Sequence, residues 1–217
     1  MKRFSVLACF LSFSGLIGLP IAASAQIPST NATQINRANL NPADQNYIQQ
    51  TEQWINHLTT LRGRFQQIAP NGTRSTGVVW INRPGRIRFQ YDQPSKMVLV
   101  ANEGKIVFYD GEVDQTTIIP VDQSPLGLLL KPQLSFSGDV SIIGFNHSNG
   151  FIQITLVRTR SPNDGNLTLV FYENPLQLRS WRVVDAQGQE TQVDLFDIKF
   201  GASAPENLFN IHIGDNN

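Results

Sequence analysis

Between Asp44 and Leu61, apolar positions recur at three- and four-residue intervals. Tyr47, Ile48, Trp54, Ile55, Leu58 and Leu61 form one stripe, with Thr51 filling it. This spacing predicts one amphipathic helix, with Asp44 as N-cap and Gly63 near its end. Beyond it the period changes to two. Arg86, Arg88 and Gln90 alternate with Ile87, Phe89 and Tyr91, which gives that strand a wet face and an apolar face. Turn pairs punctuate the rest: Asn71-Gly72, Pro84-Gly85, Glu103-Gly104, Asp110-Gly111, Asn149-Gly150, Asp164-Gly165 and Gln187-Gly188. The further strands fall at 64–69, 74–82, 95–101, 105–110, 114–120, 139–146, 150–158, 166–173, 177–185 and 190–198.

About eleven strands in a meander are too many for a flat open sheet, so the sheet must curl into a barrel or an incomplete barrel. The class is mainly β with helices (α+β). Its concave side must be filled by side chains, by a helix or by a ligand. The only helical insert after the first helix runs from Ser124 to Lys131. There Ser124 and Pro125 read as N-cap and first turn, and Leu126, Leu128, Leu129 and Leu130 follow. Leucines nearly all round place this insert in the interior or over an apolar opening.

The N-terminus divides the chain. Lys2 and Arg3 precede an uncharged, largely apolar run from Phe4 to Ile21, which ends in Ala23-Ser24-Ala25. Residues 1–25 are therefore expected to be a cleaved signal peptide. Residues 26–43, rich in Asn, Gln, Ser, Thr and Ala, read as a flexible leader, and 44–217 as one domain. The lone cysteine, Cys9, falls within the signal, so an exported product has no thiol for disulfides, thiolate metal sites or nucleophilic catalysis. Lys plus Arg equals Asp plus Glu at 17 each, and losing Lys2 and Arg3 leaves a net charge of −2. That balance provides no positive field for nucleic acid. No later apolar run approaches the ~20 residues of a membrane span.

Candidate chemistry is sparse. His57, His147 and His212 show no metal-ligand spacing, and the G-x-S-x-G elbow, the P-loop, the dinucleotide fingerprint and H-E-x-x-H are all missing. Asp194 and Asp197, three apart on a strand, are expected on opposite faces and make a poor acid/base pair. Asp110 and Asp114 flank an ordinary hairpin turn. Sequons at Asn31, Asn71, Asn146 and Asn166 matter only in a eukaryotic secretory pathway. Neither catalytic residues, a metal site nor a cofactor is expected.

What stands out is GVVWINRPGRIRFQYDQP from Gly77 to Pro94, followed by KMVLVANEGKIVFYD. This stretch resembles the LolA family of periplasmic lipoprotein carriers. The family pattern is a strand, an Arg-Pro-Gly turn, a basic and aromatic strand ending near Tyr-x-x-Pro, an aliphatic strand, and a Gly-containing turn before Tyr-Asp. The similarity extends to the amphipathic helix with Phe65-Gln66-Gln67, to the Pro-Leu-rich insert at 125–130 and to the segment 205–211. Ile87 stands where the family commonly has an aromatic, and the amide-rich leader has no counterpart.

The resemblance implies an unclosed, strongly curved antiparallel sheet with helices as a lid over an apolar cavity that receives acyl chains. It assigns Arg83 as a latch on lid carbonyls, a task suited to a guanidinium with five donors in a rigid fork. It places Ile87, Phe89, Tyr91, Met97 and Leu99 on the cavity wall, with Leu128 and Leu129 on the lid. Burial at about 0.8 kcal/mol per methylene holds such a guest without special polar contacts. The partners implied are acylated lipoproteins, an inner-membrane lipoprotein-releasing ABC transporter, and an outer-membrane receptor or the outer membrane itself. The carrier is expected to be monomeric and periplasmic. The alternatives are a periplasmic carrier or sensor of another lipid, such as a glycolipid or a stress signal, and a hydrolase on the same curved sheet.

Overall fold

The computed structural model describes residues 38–210; the expected signal peptide, most of the leader and His212 lie outside the described residues. Helix α1 (Pro42–His57) precedes eleven strands. These are β1 (Thr60–Ile68), β2 (Arg74–Asn82), β3 (Arg86–Tyr91), β4 (Met97–Asn102), β5 (Lys105–Asp110), β6 (Gln115–Pro120), β7 (Val140–Ser148), β8 (Phe151–Arg158), β9 (Gly165–Tyr172), β10 (Gln177–Asp185) and β11 (Glu190–Phe200). All join one antiparallel sheet in the order β6-β5-β4-β3-β2-β1-β11-β10-β9-β8-β7. Two meanders are sewn together by the β1–β11 pair, and β6 and β7 are left as edges that do not meet.

The sheet is strongly wrapped. Strands β3 and β10 are four places apart in it, about 19 Å if the sheet were flat at ~4.8 Å per strand. Yet the rings of Phe89 and Trp181, one from each, meet edge to face with centroids 6.1 Å apart. Bulges bend the strands at Arg62/Arg64, Ile142/Gly144 and Leu178/Ser180. Gly77 removes an obstacle on the inner face. A Cβ there would lie 2.2 Å from the Gln90 carbonyl oxygen and 2.5 Å from the ring of Phe65, its cross-strand partner.

The alternation expected of 86–91 is realised, with Ile87, Phe89 and Tyr91 buried inside. Its outer face is drier than expected. The C-terminal 3-10 turn Glu206–Phe209 crosses β3 and β4, burying Phe209 beneath Arg86 and tying Arg88 to the Leu208 carbonyl at 3.1 Å.

Three local expectations are corrected. The N-cap of α1 is Asn41, not Asp44: Asp44 is the third helical residue and completes a reciprocal capping box, with Pro42 opening the helix. The helix ends at His57, because Leu58 is already extended, and Leu61 begins the inward alternation of β1 with Gly63 and Phe65. Leu61 stands three residues after Leu58 and two before Gly63, so it fits the helical stripe and the strand alternation equally well, which hid the boundary. The last leader residues also belong to the folded body. The Ala38 N–H donates to the Ile142 carbonyl on edge strand β7 at 3.0 Å, and Ala38 and Leu40 pack against the core.

Candidate functional site

The connection from β6 to β7 spans the gap between the two edges. It is built around a 3-10 turn, Pro125–Leu128, rather than the longer helix expected over 124–131. The anticipated cap is present: the Ser124 hydroxyl oxygen accepts the Leu126 N–H at 3.3 Å. The turn is tight because Gly127 lies against the Val121 carbonyl, where a Cβ would approach to 2.0 Å. Leu126, Leu128, Leu129 and Leu130 are all buried beneath this strap.

Arg83, only 8% exposed, sits where the β2–β3 turn meets both covering elements. Its Nη2 donates to the Lys131 carbonyl at 2.7 Å, and its Nη1 donates to the Ile55 carbonyl near the end of α1. The backbone of the same turn adds a bond from the Gly85 N–H to the Leu130 carbonyl at 2.9 Å. One guanidinium thus joins helix and strap. Burial pushes it down from its ordinary value, and its Nε is buried without a partner.

Three polar residues that sequence reasoning missed complete the closure. Asn56 on α1 makes a reciprocal pair with the Leu134 backbone, donating to its carbonyl at 2.8 Å and accepting its N–H at 2.9 Å. The Glu52 carboxylate accepts the Phe136 N–H at 2.6 Å. From the other side, Arg158 at the end of β8 donates to the Ser124 carbonyl at 2.7 Å and to that of Val121 at 3.5 Å. Its guanidinium is lowered by burial, partly offset by Asp164 and Asp122. Nothing in one sequence marks these residues, since their partners are carbonyls and amides that any residue type could supply.

Beneath this cover, Ile87, Phe89, Tyr91, Met97, Leu99, Leu128 and Leu129 are all buried and belong to one contiguous core cluster with Ile154, Leu169 and Trp181 of the far wall. Phe65 stands edge-on to both Phe89 and Tyr91, with centroids 5.0 and 5.2 Å away. The Tyr91 hydroxyl reaches outward to Gln67 at 2.8 Å. These side chains, from both walls and from the strap, together line the interior of the sheet. Trp54 on α1 bridges to the rim, edge-on to buried Phe171 at 5.5 Å and to half-exposed Phe200 at 5.7 Å.

Asp194, Asp197 and His147 lie apart from this interior. Asp194 faces outward and binds Arg179 at 3.0 Å, whereas Asp197 is the exposed, positive-φ residue of the β11 bulge, so the simple two-face expectation does not describe it. His147 joins a surface cluster. Its Nε2 lies 3.1 Å from a Glu173 carboxylate oxygen, the Tyr47 hydroxyl donates to the other at 2.8 Å, and the Tyr47 and His147 rings meet at a tilt of 44° with centroids 4.2 Å apart. Among the described residues no three His, Cys, Asp or Glu gather as a metal site, and no helix is long and apolar enough to cross a membrane.

An unclosed, strongly wrapped sheet around a largely apolar interior is covered by a helix and a strap held through hydrogen bonds, which defines an incomplete barrel with a cover. The model of the outer membrane lipoprotein carrier protein LolA family matches residues 56–212, and the chain belongs to that family. It is similar to the outer-membrane lipoprotein carrier protein of Azotobacter vinelandii, 28% identical over 183 residues, covering 79% of this chain and 86% of that one. The carrier of Pseudomonas aeruginosa strain PAO1 is 26% identical over 178 residues, covering 76% and 83%. A crystal structure of a LolA superfamily protein from Nitrosomonas europaea aligns with TM-score 0.42 at 10% identity, covering 76% of this chain and 97% of that one.

Proposed function

We propose that this protein is a periplasmic, non-enzymatic carrier that shelters the acyl chains of lipoproteins. It receives them from an inner-membrane ABC transporter and delivers them to the outer membrane or a receptor there. Ile87, Phe89, Tyr91, Met97 and Leu99 form the wall that meets the chains, and Leu128 and Leu129 withdraw with the strap to admit them. The observation that carries this reading is Arg83, whose guanidinium ties α1 and the strap together over an apolar interior.

The physics suits loading and release. Wall and strap residues share one buried cluster, so cargo substitutes one set of apolar contacts for another, and the net gain is far smaller than the gross burial. Family membership and the carrier names of the relatives support the cargo class. The test is mass spectrometry of material bound to protein purified from its own cells, paired with release of lipoproteins from spheroplasts. Bound lipoprotein and stimulated release are expected. Bound lipid without lipoprotein would replace the cargo with another lipid.

A further inference from the structure

The outer face of the sheet carries a feature that the interior does not explain. β1 is the middle strand of the eleven, so its outer face lies opposite the gap that the strap covers. There Lys199 of β11, Arg62 of β1, Trp80 of β2 and Arg88 of β3 stand directly across from one another in register, with Arg86 of β3 two pairs further along, opposite Asn82. Lys199 and Arg62 are both exposed. Like charges directly opposite on neighbouring strands destabilise a sheet.

Among the described residues neither Arg62 nor Lys199 forms an ion pair. The carboxylates nearby are engaged or marginal: Asp92 is bound to Arg64, Glu206 lies 4.0 Å from Arg86, and Asp197 in the bulge acts electrostatically on Arg64. The juxtaposition is created by that bulge. Without it Lys199 would share the inward parity of Val193 and Leu195; the extra residue turns Ile198 inward and Lys199 outward against Arg62.

Arg62 lies over the Trp80 ring at 5.6 Å. A cation–π contact uses none of the guanidinium's N–H donors in an ion pair, so Arg62 keeps donors for a carboxylate. Phe196, one register pair from Arg62 and 41% exposed, adds an apolar contact. Arg, Trp and Phe together are the composition of protein interfaces.

We propose that the outer face around Arg62, Lys199, Trp80 and Phe196 docks an acidic segment of a partner protein. Docking through the back leaves the cover free to open, whereas a bilayer on this face would meet the side opposite the cover. The inference goes beyond the carrier reading and holds for any cargo.

The test uses the full chain in its own cells, with a photo-crosslinking benzoylphenylalanine at Phe196, which retains both cations. The expected result is an adduct with one protein through a segment rich in Asp and Glu. Its yield should fall about tenfold in the Arg62→Glu/Lys199→Glu variant, whose circular dichroism and binding of a fluorescent acyl-chain probe are unchanged, and recover when the partner's acidic residues are reversed to Lys. Adducts to phospholipid, to a second copy of the chain or to many unrelated proteins would overturn the proposal. So would no adduct, or a yield indifferent to charge reversal. Loss of cargo binding with crosslinking intact would instead count against the carrier reading.

Discussion

The Nη2 of Arg158 donates to the Ser124 carbonyl across 2.7 Å, which anchors the start of the strap to β8 while Arg83 holds its end at Lys131. A charged hydrogen bond of this kind contributes about 1.5–3 kcal/mol. Arg158→Leu should therefore leave the sheet folded and loosen the strap. Amide exchange at Gly127, Leu129 and Leu130, whose N–H groups close the turn, should speed up about tenfold. Unchanged exchange at these three amides would show that Arg158 does not restrain the strap.

Much of the architecture was legible because the sheet encodes it with a period of two. The outer-inner alternation of Arg86 to Tyr91 and the turn pairs after each strand survive almost unchanged in the fold. Ile87, Phe89, Tyr91, Met97 and Leu99 share the core because inward parity along β3 and β4 leaves them no other place, and Leu128 and Leu129 reach the same core from the strap. The Ser124 cap was legible too, since a hydroxyl followed by Pro has a local meaning. Asn56, Glu52 and Arg158 were not legible, because each binds backbone groups brought near by the wrapping of the whole sheet. The β11 bulge was hidden for the opposite reason. It is a single-residue slip, and before the slip the strand reads as an unbroken alternation.

Acid should loosen the first half of α1. The Glu173 carboxyl is held below its ordinary 4.5, first by the His147 hydrogen bond and then by that of Tyr47. A carboxyl with a depressed folded value contributes stability that is complete above the unfolded value and is lost as pH falls through the folded one. The window therefore opens just below pH 4.5 and extends downward. Tryptophan fluorescence at Trp54 during acid titration should report release of the helix in that window, and Glu173→Gln should flatten the transition. A titration curve identical in the variant would remove the cluster from the account.

Gly77→Ala tests the tight wrapping of the sheet. The new methyl group has no room beside the Gln90 carbonyl and the Phe65 ring, so Phe65 must swing away from Phe89 and Tyr91. Overpacking of this kind costs about 1–3 kcal/mol. For a chain of this length each kcal/mol lowers the melting temperature by about 2–4 °C. Calorimetry should therefore find a clear drop, and the Phe65→Leu background should recover part of it by vacating the space.

Whether helix and strap move as one cover is decided by Asn56 and Arg83 together. Asn56 fastens α1 to Leu134, and Arg83 fastens both to the β2–β3 turn, so the two bonds restrain different motions: the first holds the pieces to each other, the second holds the pair to the wall. If the cover lifts as a unit, Arg83→Leu removes both charged hydrogen bonds at once and should shift the closed state toward the open one by about a hundredfold, and impair lipoprotein transfer. Asn56→Ala should then separate helix from strap with little effect on lifting. Spin-label distances from α1 and from the strap to β8 distinguish the two motions. Under unit motion both distances lengthen together in Arg83→Leu and diverge only when Asn56→Ala is added, giving a coupling energy of about 0.5–3 kcal/mol in the double-mutant cycle. Distances that change independently in Arg83→Leu alone would mean that the strap opens while α1 stays in place, and Arg83 would then act as two separate ties.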